Sequence, residues 1–219
     1  MNRPVALALL ASLLLLASGC SSLYYSYLEK VGIPKREVLV NRVMDARESQ
    51  EQAKEQFVDA LEEFRALVAV DEPELQRTYD KLSAEHARSE ARAREVRDRI
   101  ASIRDVAGKL FKEWENELGQ YSNPQLRANS ERQLRETQRS YGEMMAAMDR
   151  VAASMDPVLA AFRDQVLVLK HNLNAVAIAS LEGEAAILEQ NVTALISDME
   201  ASIAEANAFL ERWEGARGE

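Results

Sequence analysis

The stretch "LQRTYDKLSAEHARSEARAREVRDRIASIRDVAGKLFKEWENEL", from Leu75 to Leu118, decides the fold through the spacing of its apolar residues. Steps of three and four alternate over about six heptads with few lapses, which is typical of the seam of a supercoiled helix. The seam positions are Leu75, Tyr79, Leu82, His86, Ser89, Ala93, Val96, Ile100, Ile103, Ala107, Leu110, Trp114 and Leu118. The stretch therefore predicts one long helix packed against others.

The same spacing recurs from Leu134 to Leu173 and from Ile178 to Trp213. The chain has only 8 glycines and 5 prolines, and most prolines stand where a helix could begin. We predict helices over about 35–70, 74–119, 124–171 and 175–214. The expected fold is all-α, an elongated antiparallel helical bundle or coiled coil of three to four long helices, forming one domain over residues 34–214.

Two boundaries stay open at this point. The apolar spacing passes through Asp156-Pro157 without a change of phase, which favours a kink inside one helix over a loop. The last turn is placed at Asn172 to Asn174, since asparagine tolerates a left-handed cap, with a turn near Gly183 or an unbroken helix as alternatives.

The N-terminus has the features of an export signal. Val5 to Ala17 is an apolar run of about thirteen residues, too short to cross a bilayer as a helix. Ala17, Ser18, Gly19 and the single cysteine, Cys20, resemble the bacterial lipobox. That resemblance implies cleavage after residue 19, a diacylglyceryl group on the Cys20 thiol and acylation (palmitate) of the new amine. It also implies sorting to the outer membrane, because Ser21 stands where aspartate would retain a lipoprotein at the inner membrane.

The residues after the anchor are rich in tyrosine. Tyr24, Tyr25 and Tyr27 lie in the expected tether, residues 20–33, and tyrosine suits a membrane interface because its ring is apolar and its hydroxyl polar. Packing of these rings on the base of the bundle is an equal alternative. Residues 215–219 are expected to form a disordered tail.

Composition and charge argue against several functions. The net charge of -9 becomes -10 once the signal containing Arg3 is removed, which disfavours nucleic acid as a partner. No phosphate loop surrounds Gly108-Lys109, so no nucleotide is expected. Neither His86 nor His171 belongs to a Glu-x-x-His pair, and we expect no metal, no cofactor and no enzyme activity.

Two blocks of sequence are similar to a known family. "YYSYLEKVGIPKREVLVNRVMDARESQEQAKEQF" (24–57) and "MDPVLAAFRDQVLVLKHNLNA" (155–175) resemble an uncharacterised bacterial lipoprotein family, domain-of-unknown-function family 2959. The resemblance implies a helical protein of the Gram-negative envelope, and it brings no activity or catalytic residues with it.

The expected function is that of a non-enzymatic outer-membrane lipoprotein facing the periplasm. Its bundle would act as a structural or protein-interaction module, through another envelope protein or self-association. The alternative is a helical carrier or sensor for an apolar small molecule or lipid. The methionines Met144, Met145, Met148 and Met155 motivate it, because methionine lines adaptable apolar surfaces.

Overall fold

The computed structural model describes residues 25, 28, 32–68, 75–171 and 175–215. Within these ranges the chain forms four long α-helices and no strand. The helices are α1 (Lys35–Val68), α2 (Leu75–Leu118), α3 (Pro124–His171) and α4 (Ala175–Gly215). The predicted all-α class is confirmed, and the helix bounds agree with the predicted ones within two residues. Residues 216–219, the rest of the expected tail, lie outside the described residues.

The four helices form a closed ring in chain order. Each helix packs on the next, and α4 packs on α1 to complete the bundle. Helices α1 and α2 run antiparallel. Asp45, near the start of α1, contacts Arg99 (3.5 Å), whereas Gln56, further along α1, contacts Glu85 (2.7 Å), which comes before Arg99 in α2. We call the end where α1 and α3 begin and α2 and α4 end the basal end, and the opposite end the distal end.

One continuous apolar core runs through the bundle. The seam positions fill it: Leu82, Val96 and Ile103 of α2 are fully buried, and so are the rings of Phe57, Phe64 and Phe162. A few polar groups are buried with them and have no hydrogen-bond partner among the described residues. They are both amide atoms of Gln50 and the hydroxyls of Ser49, Ser89, Ser140 and Ser202.

The two open boundaries have clear outcomes. Helix α3 is continuous through Pro157, so the interpretation of Asp156-Pro157 as a point within one helix is confirmed and the loop is wrong. Helix α3 ends at His171 and α4 begins at Ala175, so Gly183 lies inside α4. The predicted turn, Asn172 to Asn174, itself lies outside the described residues.

Local hydrogen bonds explain where two helices begin. Asn123 Oδ1 accepts from the backbone N–H groups of Gln125 (2.9 Å) and Leu126 (3.3 Å), which makes it the N-cap of α3. Before α1, Gly32 has a φ of 88°, a left-handed conformation that favours glycine. The Ile33 N–H donates to the Leu28 carbonyl oxygen at 2.9 Å, closing this turn.

Ion pairs between α1 and α2 differ from those that the sequence predicts. If the first two helices fold back about Glu72, the sequence places Arg88, Arg92, Arg97 and Arg99 near Glu55, Glu51, Glu48 and Asp45, but only the Arg99–Asp45 pair forms. Arg88 instead pairs with Glu85. Glu85 also accepts from Gln56, and although partial burial raises the pKa of its carboxyl, the hydrogen bonds from Arg88 and Gln56 lower it below the ordinary 4.5.

Candidate functional site

The predicted anchor lies next to a segment that is packed against the bundle. Tyr25 is only 4% exposed, its hydroxyl donates to Asp105 Oδ2 (3.0 Å), and Lys109 Nζ lies 4.5 Å from its ring centroid. Lys109 also pairs with Asp105 Oδ1 at 2.7 Å, so the three side chains form one network on α2. The interface interpretation is therefore wrong for Tyr25, which takes the packing alternative.

The other predicted site residues cannot be placed in the same way. They lie outside the described residues, and the predictions made for them stand on the sequence alone: Ala17, Ser18, Gly19, Cys20, Ser21, Tyr24 and Tyr27.

Sequence reasoning missed a groove at the basal end. It has a volume of about 810 Å³ and is lined by the ends of all four helices. Both tryptophans of the chain, Trp114 and Trp213, line it, and Phe209 packs on Trp213 with ring centroids 5.5 Å apart. The position of both tryptophans within about a turn of a predicted helix end was the one sequence signal for it.

Polar groups surround this aromatic surface. Trp114 Nε1 donates to Ser130 Oγ at 2.8 Å, and Lys35 pairs with Glu113 at 3.0 Å. Ser140 also lines the groove, and its buried hydroxyl has no partner among the described residues. A half-apolar groove lined by hydroxyl groups such as that of Ser140 can bind an amphipathic group.

A nearby tyrosine is held in its neutral form. Tyr141 packs edge-on against Phe111, with ring centroids 5.3 Å apart. Burial raises the pKa of the Tyr141 hydroxyl above its ordinary value, an effect that Arg104 opposes and Asp149 reinforces. The hydroxyl therefore remains protonated at neutral pH and does not act as a base there.

The two histidines lie on different helices. His86 Nε2 lies 3.3 Å from the carbonyl oxygen of Leu159, to which it can donate, and links α2 to α3. His171 is exposed at the end of α3. Across the described ranges, no group of three or more His, Cys, Asp or Glu side chains is arranged to hold a metal ion.

The arginine-rich stretch of α2 is a paired surface. Its six arginines, Arg88 to Arg104, all contact carboxylates, some on their own helix and some on α1 or α3. Arg97, for example, reaches Asp156 on α3 at 2.5 Å. These contacts compensate the positive charge that a phosphate-binding surface would need.

The class of protein follows from this arrangement: an antiparallel four-helix bundle with a tyrosine-anchored N-terminal segment and an aromatic groove at one end. None of the helices, as far as they are described, has an apolar stretch long enough to cross a membrane. The chain belongs to the family described as "Protein of unknown function (DUF2959)", which matches residues 24–213. A search of curated proteins found no match.

Proposed function

We propose that the protein is a non-enzymatic lipoprotein of the outer membrane, anchored through Cys20 and facing the periplasm. Its bundle would act as a structural or protein-interaction module. The observation that carries this proposal is the short distance in sequence between the lipobox cysteine and Tyr25, which is packed on α2. A lipid on Cys20 would thus be coupled almost directly to a rigid body, as a structural module requires.

The anchor is tested by metabolic labelling with radioactive palmitate. We expect label on the wild type, none on Cys20→Ala, and accumulation of the uncleaved precursor with an inhibitor of signal peptidase II. Two or more acyl chains give stable attachment, so the labelled protein should stay with membranes after a salt wash. An unlabelled wild type contradicts the anchor.

The location in the outer membrane is tested separately, by separating the inner and outer membranes on a density gradient. The wild type should sediment with the outer membrane, and Ser21→Asp should move to the inner one. A labelled wild type in the inner membrane would contradict the sorting but leave the anchor intact.

Exposed apolar side chains near the distal end support an interaction module. Leu167 and Val168 are neighbours near the distal end of α3 and are 44% and 37% exposed, and adjacent exposed apolar side chains are candidates for a contact surface. A photo-crosslinking amino acid at Leu167 should capture an envelope protein or a second copy of the chain. Met44, also 44% exposed but on α1, is the matched control. Equal capture at Met44 contradicts the proposal.

The four methionines that motivated the carrier alternative do not form an accessible apolar surface. Met144, Met148 and Met155 are fully buried and Met145 is 6% exposed, and all four belong to the core. The basal groove is one place where an apolar ligand could bind. Native mass spectrometry of the purified protein tests it, and a co-purifying lipid lost in Trp114→Ala would favour the carrier.

A further inference from the structure

We propose that the short tether holds the basal tip of the bundle, residues 119–126, within the membrane interface, with Tyr121 and Leu126 in contact with lipid. The inference rests on the proposed anchor at Cys20. It adds what that anchor alone does not specify, namely which surface of the bundle meets the membrane and how close it lies.

The reach of the tether sets the first limit. Five residue steps separate Cys20 from Tyr25, and a fully extended chain covers at most about 3.6 Å per residue, or about 18 Å in all. Tyr25 is fixed beside Asp105 and Lys109 of α2. The anchor is therefore confined to a sphere of about that radius around a known place on the bundle.

The length of α2 below that place sets the second limit. The helix continues for thirteen residues from Asp105 to its end at Leu118, which is about 20 Å at 1.5 Å per residue. The tip follows Leu118 and extends beyond the basal end of α2. Even a tether stretched straight toward the basal end brings Cys20 only about level with the end of α2. With the bundle axis along the membrane normal, any less extended tether draws the tip further toward the lipid.

The composition of the tip suits that position. The sequence "GQYSNPQL" (119–126) has no charged side chain, although 29% of the residues in the chain are charged. Charged groups are costly to remove from water, whereas tyrosine is favoured at the boundary of a bilayer. Tyr121 and Leu126 are 42% and 53% exposed, so they present apolar surface outward. In contrast, the sequence joining α1 to α2 at the distal end, 69–74, contains three acidic residues.

Several backbone N–H groups of the tip are already hydrogen-bonded within the protein. Asn123 satisfies two N–H groups at the start of α3, and the Gln120 N–H donates to the Glu117 carbonyl oxygen at 2.9 Å. Unpaired backbone groups oppose entry into the interface, and these are already paired.

The chain offers a clean site-specific probe. Cys20 is the only cysteine, and its thiol is consumed when it is lipidated, so Leu126→Cys introduces a single reactive thiol. The matched control is Ile187→Cys, with nearly the same exposure, 54% against 53%. Ile187 precedes the basal end of α4 by 28 residues, about 42 Å along the helix.

The experiment uses the full lipidated protein, labelled with an environment-sensitive dye, in vesicles of phosphatidylethanolamine and phosphatidylglycerol that carry a nitroxide on an acyl chain. We expect a blue shift and strong quenching at 126 and neither at 187. Circular dichroism and palmitate labelling of each variant show that it is folded and anchored. An anchored, folded protein without quenching at 126 overturns this inference and leaves the anchor standing, and so does equal quenching at 126 and 187, which means that the bundle lies flat. A protein without palmitate overturns both.

A longer tether tests the cause. Insertion of about ten glycine and serine residues after Ser21 adds up to about 35 Å of reach. Quenching at 126 should then fall several-fold while palmitate labelling is unchanged. Unchanged quenching in this variant would overturn the role of the short tether.

Discussion

The substitution Gln50→Met is expected to make the protein more stable. Gln50 lies on α1 between Arg47, which bonds Asn207 of α4 at 3.0 Å, and Lys54, which lies 4.0 Å from Glu200. Its side chain is 0% exposed, and neither the amide nitrogen nor the amide oxygen has a hydrogen-bond partner among the described residues. Folding therefore removes this amide from water without replacing the hydrogen bonds it had there.

The size of the effect follows from that geometry. A buried polar group left unpaired costs about 1–3 kcal/mol. Methionine is close to glutamine in shape and in helix propensity, and volume-conserving changes in a core cost less than about 1.5 kcal/mol. The net gain in free energy of unfolding should be about 1 kcal/mol, which for a chain of this size raises Tm by about 2–4 °C.

The assay is urea unfolding followed by far-UV circular dichroism, with a thermal melt as a second measure. Gln52→Met is the control, because Gln52 on the same helix is only partly buried and its amide bonds Glu48 at 3.2 Å. Its stability should change by less than about 0.5 kcal/mol. A loss of 1 kcal/mol or more in Gln50→Met would refute the reasoning, since it would mean that the amide has a partner, such as a buried water.

Three further predictions concern the core, a cap and a charge. Phe162→Ala should lower the free energy of unfolding by about 3–5 kcal/mol, because the ring is 0% exposed, whereas Leu167→Ala on the surface should change it little; similar losses in urea unfolding would contradict this. Asn123→Ala should cost about 1 kcal/mol through the lost cap of α3, and Asn123→Asp should restore most of it, so a melt in which both variants behave alike argues against capping. The lowered pKa of Glu85 means that its contribution is present above its ordinary value of 4.5 and is lost as pH falls through the lower folded value. Glu85→Gln should therefore be less stable than the wild type at pH 7 and equal to it once the carboxyl is protonated, and a pH-independent difference in urea midpoints would exclude this linkage.

The sequence was sufficient for the helices because their signals are local and repeated. Apolar spacing marks the buried side of a helix, and Asn123 with Pro124 marks the start of α3. Even Pro157 could be placed correctly, because a loop would have shifted the phase of the apolar residues on either side of it.

The ion pairs could not be predicted to the same degree. An arginine side chain is long enough to reach several carboxylates, and the alternative ion pairs differ little in free energy, because an exposed pair contributes only about 0–1 kcal/mol. Arg92 thus takes Glu95 on its own helix, and Arg97 takes Asp156 on α3 instead of Glu48 on α1. Reflection through one turn also ignores the third helix that packs on the same side.

The basal groove and the place of Tyr25 depend on distant parts of the chain. The four helix ends that line the groove are spread over residues 34 to 215, and no sequence motif predicts that they meet. Tyr25 finds Asp105 eighty residues later, a pairing that neither spacing nor composition contains. Such contacts depend on which helices are neighbours in the bundle, and the patterns in a single sequence do not predict that arrangement.

The meeting of the first and last helices at one groove has a practical consequence for labelling and redesign. Lys35 and Gly215 both line it, so the bundle could be circularly permuted by joining these ends with a short linker and opening the chain elsewhere. A fluorescent protein fused behind α4 would emerge beside the tether and crowd whatever lies beneath it. The same reporter inserted between Val68 and Leu75 would be carried about 50 Å away, the length of α1, and is the safer choice for imaging in cells.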